Sequence, residues 1–235
     1  MIRAATIWSR ALDIVFPPRC VGCREFGAFI CDACMTEAPR AEGERCERCW
    51  TPGRTEACRA CYQHPPAFRA TRSVFVFTGT ARAAVLALKF GGVSALAPTM
   101  AAPMNEALDR WSPPVDLVVP VPLGGLRART RGYNQARLLA REVARLSGLP
   151  FEPSCVRRRT NTPAQSQQPD ADARRKNIDN AFEPGRKRPS GRVLLIDDVT
   201  TTGSTLDACA RALLDGGAKD VYCLTFARED GRHSE

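Results

Sequence analysis

Asp197 and Asp198 stand side by side between an apolar run, Val193 to Ile196, and a hydroxyl-rich loop, Thr200, Thr201, Thr202, Gly203, Ser204 and Thr205. Four apolar residues without alternation predict a strand buried on both faces. The residues after the loop predict an amphipathic helix. The two acids thus come where the strand would emerge, at the carboxyl end where open α/β sheets bind ligands. Adjacent carboxylates suit sugar hydroxyls, or a metal ion carried by the ligand. Small hydroxyl residues and a glycine at a helix N-terminus offer N–H donors and partial positive charge to a phosphate. A phosphorylated sugar would use both halves. Helix capping explains one Asp or Ser near a helix start, but it does not call for two acids and a hydroxyl-glycine-hydroxyl loop together.

The second chemistry-bearing set is cysteine. Eight of the eleven cysteines form four CxxC pairs, Cys20/Cys23, Cys31/Cys34, Cys46/Cys49 and Cys58/Cys61. A CxxC turn puts two thiolates on one side of a tight knuckle, and two knuckles complete a tetrahedral zinc site. Four pairs therefore imply two zinc ions, with an all-cysteine donor set that marks structural rather than catalytic sites. Pairing first with second and third with fourth is simplest, because the intervals within the halves are seven and eight residues against eleven between them. Interleaved pairing stays open at this stage. A redox role would need one CxxC at a strand-helix junction, not four. Cys209 falls near the apolar face of the last helix and Cys223 in an expected strand, so both read as small core residues, and Cys155 is unpaired in sequence.

These groups need a scaffold. Val74 to Phe77 predicts a strand, Ala81 to Phe90 a helix ended by Gly91 and Gly92, and Asp116 to Pro122 a strand end. A helix begins at Asn134 with Leu139, Val143 and Leu146 on one face. Ser204 to about Asp215 forms another, and Val221 to Phe226 a last strand. Strands alternating with helices predict an α/β fold with a parallel doubly wound sheet. Residues 1–64 read as an N-terminal helix (Trp8, Leu12, Val15 and Phe16 at helical spacing) and a small four-cysteine zinc-ribbon module, and residues 65–235 as the α/β domain, joined through a Pro65-Pro66 linker. No apolar run approaches the roughly 20 residues that span a bilayer, and the N-terminus lacks an export signal, so a cytoplasmic protein is expected.

Charge is unevenly spread. Between Pro122 and Arg192 sixteen Lys/Arg face six Asp/Glu, a net of +10 beside +9 for the whole chain. Arg157-Arg158-Arg159, Arg174-Arg175-Lys176 and Arg186-Lys187-Arg188 are its clusters. Such surfaces bind diphosphate or nucleic acid, or are simply solvated. Few aromatics interleave with them, which disfavours a stacking platform for single strands.

The apolar-acid-acid-apolar-Thr-Thr-Gly-hydroxyl run resembles the 5-phosphoribosyl-1-diphosphate (PRPP) site of type I phosphoribosyltransferases. Three further features narrow the resemblance to the ComF family. They are the cysteine-rich N-terminus, the block Arg131-Gly132-Tyr133-Asn134-Gln135, and the segment holding Gln167, Gln168, Arg174 and Asn177. The likeness spans Ala11 to Ala227, with Tyr133 where the family commonly has phenylalanine. It implies a sheet of type I phosphoribosyltransferase kind behind a double zinc ribbon. It also implies PRPP bound with Mg²⁺, with Thr200 to Thr205 on the 5-phosphate and Asp197 and Asp198 on the ribose hydroxyls. Lys89, Arg127 and Arg131 are then candidates for the diphosphate. The implied role is phosphoribosyl transfer (a glycosyltransferase reaction of unnamed acceptor) in DNA uptake and natural transformation. The alternative is a non-catalytic factor that keeps the fold as a scaffold. Its partners would be single-stranded DNA or a helicase-like competence protein. Neither His64 nor His233 is placed to act as a base.

Overall fold

The computed structural model describes residues 17–53, 56–124, 132–159 and 181–230. Met1 to Phe16, Arg127, Arg129, Arg131, Gln167, Gln168, Arg174, Asn177 and His233 lie outside the described residues.

Six strands and six helices are described. The strands are β1 (Ala70–Val76), β2 (Leu117–Pro120), β3 (Val156–Arg158), β4 (Phe182–Pro184), β5 (Arg192–Thr200) and β6 (Asp220–Arg228). The helices are α1 (Asp32–Glu37), α2 (Arg59–Gln63), α3 (Gly79–Phe90), α4 (Leu96–Trp111), α5 (Gln135–Ser147) and α6 (Ser204–Asp215). The main sheet is wholly parallel in the order β1-β6-β5-β2. Its register sets Val193 beside Leu117 and Val221, and Ile196 beside Pro120 and Leu224.

Strand residues alternate between two cores, as a doubly wound sheet requires. Val118, Leu194, Ile196, Leu224 and Phe226 pack with α3, α4 and α5. Leu117, Val119, Val193, Leu195, Val221 and Cys223 pack with α6 and the small β3-β4 ribbon. Cys209 and Cys223 are fully buried there, and burial pushes both thiols well up. They are core residues, as the pattern predicts.

The cysteine-rich segment closes this architecture. Ala41 N–H donates to Val74 O at 2.9 Å, Val76 N–H to Pro39 O at 2.8 Å and Thr71 N–H to Arg48 O at 2.7 Å. The outer edge of β1 is thereby paired rather than left open. Cys20, Ile30, Cys34 and Ala38 belong to the same apolar cluster as α3 and α4.

Candidate functional site

The apolar run predicts a strand that ends near Ile196, but β5 continues to Thr200. The two acids therefore lie inside a strand, and consecutive strand residues point to opposite faces. Asp198 falls on the α3 side, where it is buried and its Oδ2 lies 3.1 Å from Lys89 Nζ. Lys89 sits in the last turn of α3, and its side chain is 17% exposed, so it can reach both the acid and the cavity. Asp197 falls on the α6 side, and its Oδ1 accepts the N–H of Asp198 at 2.9 Å. Burial, then the charge of Asp198, pushes the Asp197 carboxyl well above the usual carboxylate range. Lys89 and the backbone N–H of Asp198 oppose that rise without cancelling it.

Both carboxylates line one cavity of about 190 Å³, with Lys89, Asn134, Gln135, Arg158 and Thr205. Asn134 caps α5, taking the N–H of Arg137 at 3.4 Å and donating to Val121 O at 2.9 Å. It thereby ties the start of α5 to the end of β2. Tyr133 donates its hydroxyl to Leu88 O at 2.5 Å, so the extra oxygen has a partner on the turn that carries Lys89. Arg158 enters from β3 with its guanidinium 5.3 Å from the Phe182 ring centroid. Its stem passes Gly124, where a Cβ would stand 3.2 Å from Arg158 Cδ.

The loop follows directly. Thr200 is buried at the end of β5, and Thr201 and Thr202 are exposed. Gly203 has φ +82°, a left-handed conformation suited to glycine, and no side chain caps α6 there. Thr202 Oγ1 and Ser204 Oγ lie 2.8 Å apart.

Of the sequence-predicted site residues, the structure brings Asp197, Asp198, Lys89 and Thr205 to one cavity. Thr201, Thr202, Gly203 and Ser204 line a second, larger cavity on the other side of the loop. Sequence reasoning did not select Asn134, Gln135 and Arg158 as site residues. The Arg-Gly-Tyr-Asn-Gln block signalled the first two, but Arg158 was visible only as one of a basic run.

The cysteines form two groups, Cys20/Cys23/Cys31/Cys34 and Cys46/Cys49/Cys58/Cys61, with all sulfurs in each within 4.8 Å of one another. Pairing is therefore sequential, and the interleaved alternative is excluded. Cys23 Sγ to Cys31 Sγ and Cys49 Sγ to Cys58 Sγ are both 3.7 Å. A tetrahedron with Zn–S of about 2.3 Å has edges of about 3.8 Å, so the donor sets fit zinc. Each group also turns backbone donors on its first sulfur. Cys31 N–H points at Cys20 Sγ and Cys58 N–H at Cys46 Sγ. Burial alone would raise these two thiols, yet such N–H contacts hold Cys20 down to about 6 and Cys46 down to about 7.

The second group is fastened to the sheet's carboxyl end. Arg228, the last residue of β6, donates to Cys49 O at 2.6 Å and to Thr51 Oγ1 at 2.5 Å. Buried Arg45 grips Asp230 through two hydrogen bonds of 3.0 and 2.8 Å. Sequence patterning gives no sign of this contact across some 180 residues.

Comparison with known proteins agrees with this anatomy. Residues 11–63 match the double zinc ribbon domain, and residues 114–235 match the phosphoribosyl transferase domain. The fold and site thus define a phosphoribosyltransferase-fold protein with a double zinc ribbon in front. The chain is 31% identical over 204 residues to the DNA utilization protein YhgH of Salmonella typhi, covering 83% of this chain and 89% of that one. It is 29% identical over 209 residues to competence protein ComFC of Bacillus subtilis strain 168, covering 85% and 84%. Among solved structures, the glutamine PRPP amidotransferase of B. subtilis complexed with ADP and GMP aligns at TM-score 0.38 and 18% identity, over 55% of this chain and 26% of that one. The chain belongs to the ComF family. No helix among the described residues is long and apolar enough to cross a membrane.

Proposed function

We propose that this protein binds PRPP at the end of β5 and transfers its phosphoribosyl group in a process of DNA utilization. The observation that carries the reading is the convergence of Asp197, Asp198, Lys89, Arg158 and Thr205 on one cavity beside a helix N-terminus whose N-cap is Gly203. The loop from Thr200 to Thr205 holds the 5-phosphate through backbone N–H groups and hydroxyls. Asp197 and Asp198 accept hydrogen bonds from the ribose 2- and 3-hydroxyls. Their hard oxygen donors also fit Mg²⁺, which uses one or two carboxylates together with substrate phosphates; when bound, it would neutralise charge on the diphosphate. Lys89 and Arg158 supply cations for the diphosphate, and Arg127 and Arg131 are proposed for the same end. The acceptor nucleophile forms its bond to the anomeric carbon as the bond to diphosphate breaks, and the carboxylates' charge stabilises the oxocarbenium-like state.

The DNA role rests on the names of the relatives. Direct DNA contact has weaker support. Arg157 and Arg159 both pair with Glu183, and Lys187 pairs with Glu152, which takes up part of the basic surplus. Single-stranded DNA and a helicase-like protein remain proposed partners, and a cytoplasmic location the proposed setting.

Calorimetric titration with PRPP and Mg²⁺ tests the reading. Wild-type protein binds, and Asp197→Asn combined with Asp198→Asn does not while still folding. An absence of binding to folded wild type sinks it.

A further inference from the structure

Of the two cavities described among these residues, the larger is not the one that holds the acids. About 640 Å³ opens on the opposite side of the loop, between Thr201, Thr202, Gly203 and Ser204 on one wall and the second cysteine group on the other. Pro65, Pro66 and Phe68 make it partly apolar, with His64 and Ala60 at the rim. Its volume lies within the range of about 300–1,000 Å³ common for small-molecule sites.

The loop is the partition between the two cavities, since Thr205 lines the first and Thr201 to Ser204 the second. A phosphate seated on it has a ribose side and a far side, and the far side faces open space rather than a wall. Both arginines around that space already have acidic partners. Arg211 pairs with Asp207, and Arg228 lies 3.4 Å from Asp230. The lining itself holds two arginines, Arg211 and Arg228, and two acids, Asp207 and Glu229. Such a lining does not suit a polyanion. A phosphodiester carries a single charge, and the exposed His64 ring beside the faces of Pro65 and Pro66 suits a nucleobase.

We propose that the second cavity takes a nucleoside joined through the phosphate that the loop holds. The full ligand is then a ribonucleotide with a free 2′,3′-diol whose 5′-phosphate is esterified by a second nucleoside. This deepens the functional reading above and rests on it, because the ribose is placed by Asp197 and Asp198. The ligand has two sources, a free dinucleotide or the 3′ end of a polyribonucleotide.

Calorimetry on the zinc-loaded full chain compares adenosine 5′-monophosphate with adenylyl-(3′→5′)-adenosine, which adds only the second nucleoside. The dinucleotide binds roughly tenfold more tightly, as expected for one stacked base. Ala60→Trp fills the cavity from the metal side, and Pro65→Trp does so from the linker. Each removes the gain and leaves PRPP and monophosphate binding unchanged, with zinc content and melting temperature reporting the fold. Equal affinities for the two ligands in wild type, or a gain that survives both substitutions, overturns the proposal even when PRPP binds. Dinucleotide binding that both substitutions block, in a protein that fails to bind PRPP, overturns the transferase reading and keeps the cavity. A six-residue oligoribonucleotide that matches the dinucleotide identifies a polynucleotide end, and one that does not bind identifies the free dinucleotide.

Discussion

Asp230→Asn isolates the physics that fastens the second cysteine group to the sheet. Asp230 is shared by Arg45 and Arg228, whose side chains are 5% and 6% exposed, while its own is 19% exposed. At an effective dielectric constant of about 20, unit charges about 3 Å apart attract by roughly 5 kcal/mol. Much of that attraction offsets the desolvation of both partners. Removing one partner of a buried pair costs about 3–5 kcal/mol, because the remaining charge is left uncompensated. Asparagine keeps the shape but removes the charge, and Arg45 keeps its carbonyl acceptors on Glu42 and Trp50. The partial exposure of Asp230 and these acceptors point to the lower end, about 3 kcal/mol. For a chain of this size 1 kcal/mol moves the melting temperature by about 2–4 °C, so the loss is roughly 6–12 °C.

The comparison is Asp220→Asn, which removes the partner of Arg69, a side chain 65% exposed. An exposed pair is worth at most about 1 kcal/mol, so that melting temperature moves by only a few degrees. Thermal denaturation of zinc-loaded protein, followed by circular dichroism, measures both. Equal shifts would refute the reasoning, since burial would then not distinguish the two carboxylates. A cycle with Arg45→Met adds a second check, because the Asp230→Asn loss shrinks once Arg45 is gone.

Three further outcomes follow from the same structure. Asp197 titrates higher folded than unfolded, so it favours the folded state below about pH 4 and that benefit is lost as pH rises through the folded value. Asp197→Asn therefore melts above wild type at pH 8 and converges with it near pH 4, and a gap that does not widen with pH contradicts this. Cys58→Ala lowers bound zinc from two ions per chain to one by elemental analysis, since Cys58 belongs to the second group alone. Gly203→Ala meets only ordinary contact with Phe68 at 3.7 Å, so its cost is that of a φ of +82°, about 1–2 kcal/mol. An unchanged melting temperature would show that the loop relaxes freely.

Legibility in the sequence followed the strength of local signals. The helix from Ser204 to Asp215 was bounded to the residue, because Gly203 precedes it and Gly216-Gly217 follow. Asn134 marked the start of α5 through its capping side chain. Helix α4 went unread because Pro98 and Pro103 break the usual signal. Pro98 sits in the first turn, where its missing N–H does no harm, and burial of Leu96, Met100, Met104 and Leu108 holds the rest despite Pro103. Strands β3 and β4 have three residues each, too short for periodicity to register. Arg158 was hidden for the same reason, since its role depends on a ribbon that only tertiary packing defines. The sequence marks the acids as a pair at a strand end, and their split across two faces follows from the continuation of β5. Local patterning cannot reveal that continuation, because Val199 and Thr200 fit strand and loop equally well.

The relation between the metal-binding groups and the proposed sugar-phosphate site follows from one strand end. Thr200, which opens the loop proposed to hold phosphate, pairs in register with Arg228 on β6, and its carbonyl accepts Glu229 N–H at 2.9 Å. Arg228 in turn reaches the Cys49 carbonyl, next to a metal-binding sulfur. The ribbon segment also pairs with the outer edge of β1, and its first cysteine group lies in the core shared with α3, which carries Lys89. Each cysteine group therefore stands behind a different half of the proposed site, the first behind the lysine and the second behind the loop. A small metal-bound module with little apolar area of its own gains stability by docking on the sheet. In the same contacts it closes a strand edge and holds the loop's base in place. The zinc ribbon match ends at residue 63 and the phosphoribosyl transferase match begins at 114, but the hydrogen bonds make the two parts one supporting frame for the proposed site.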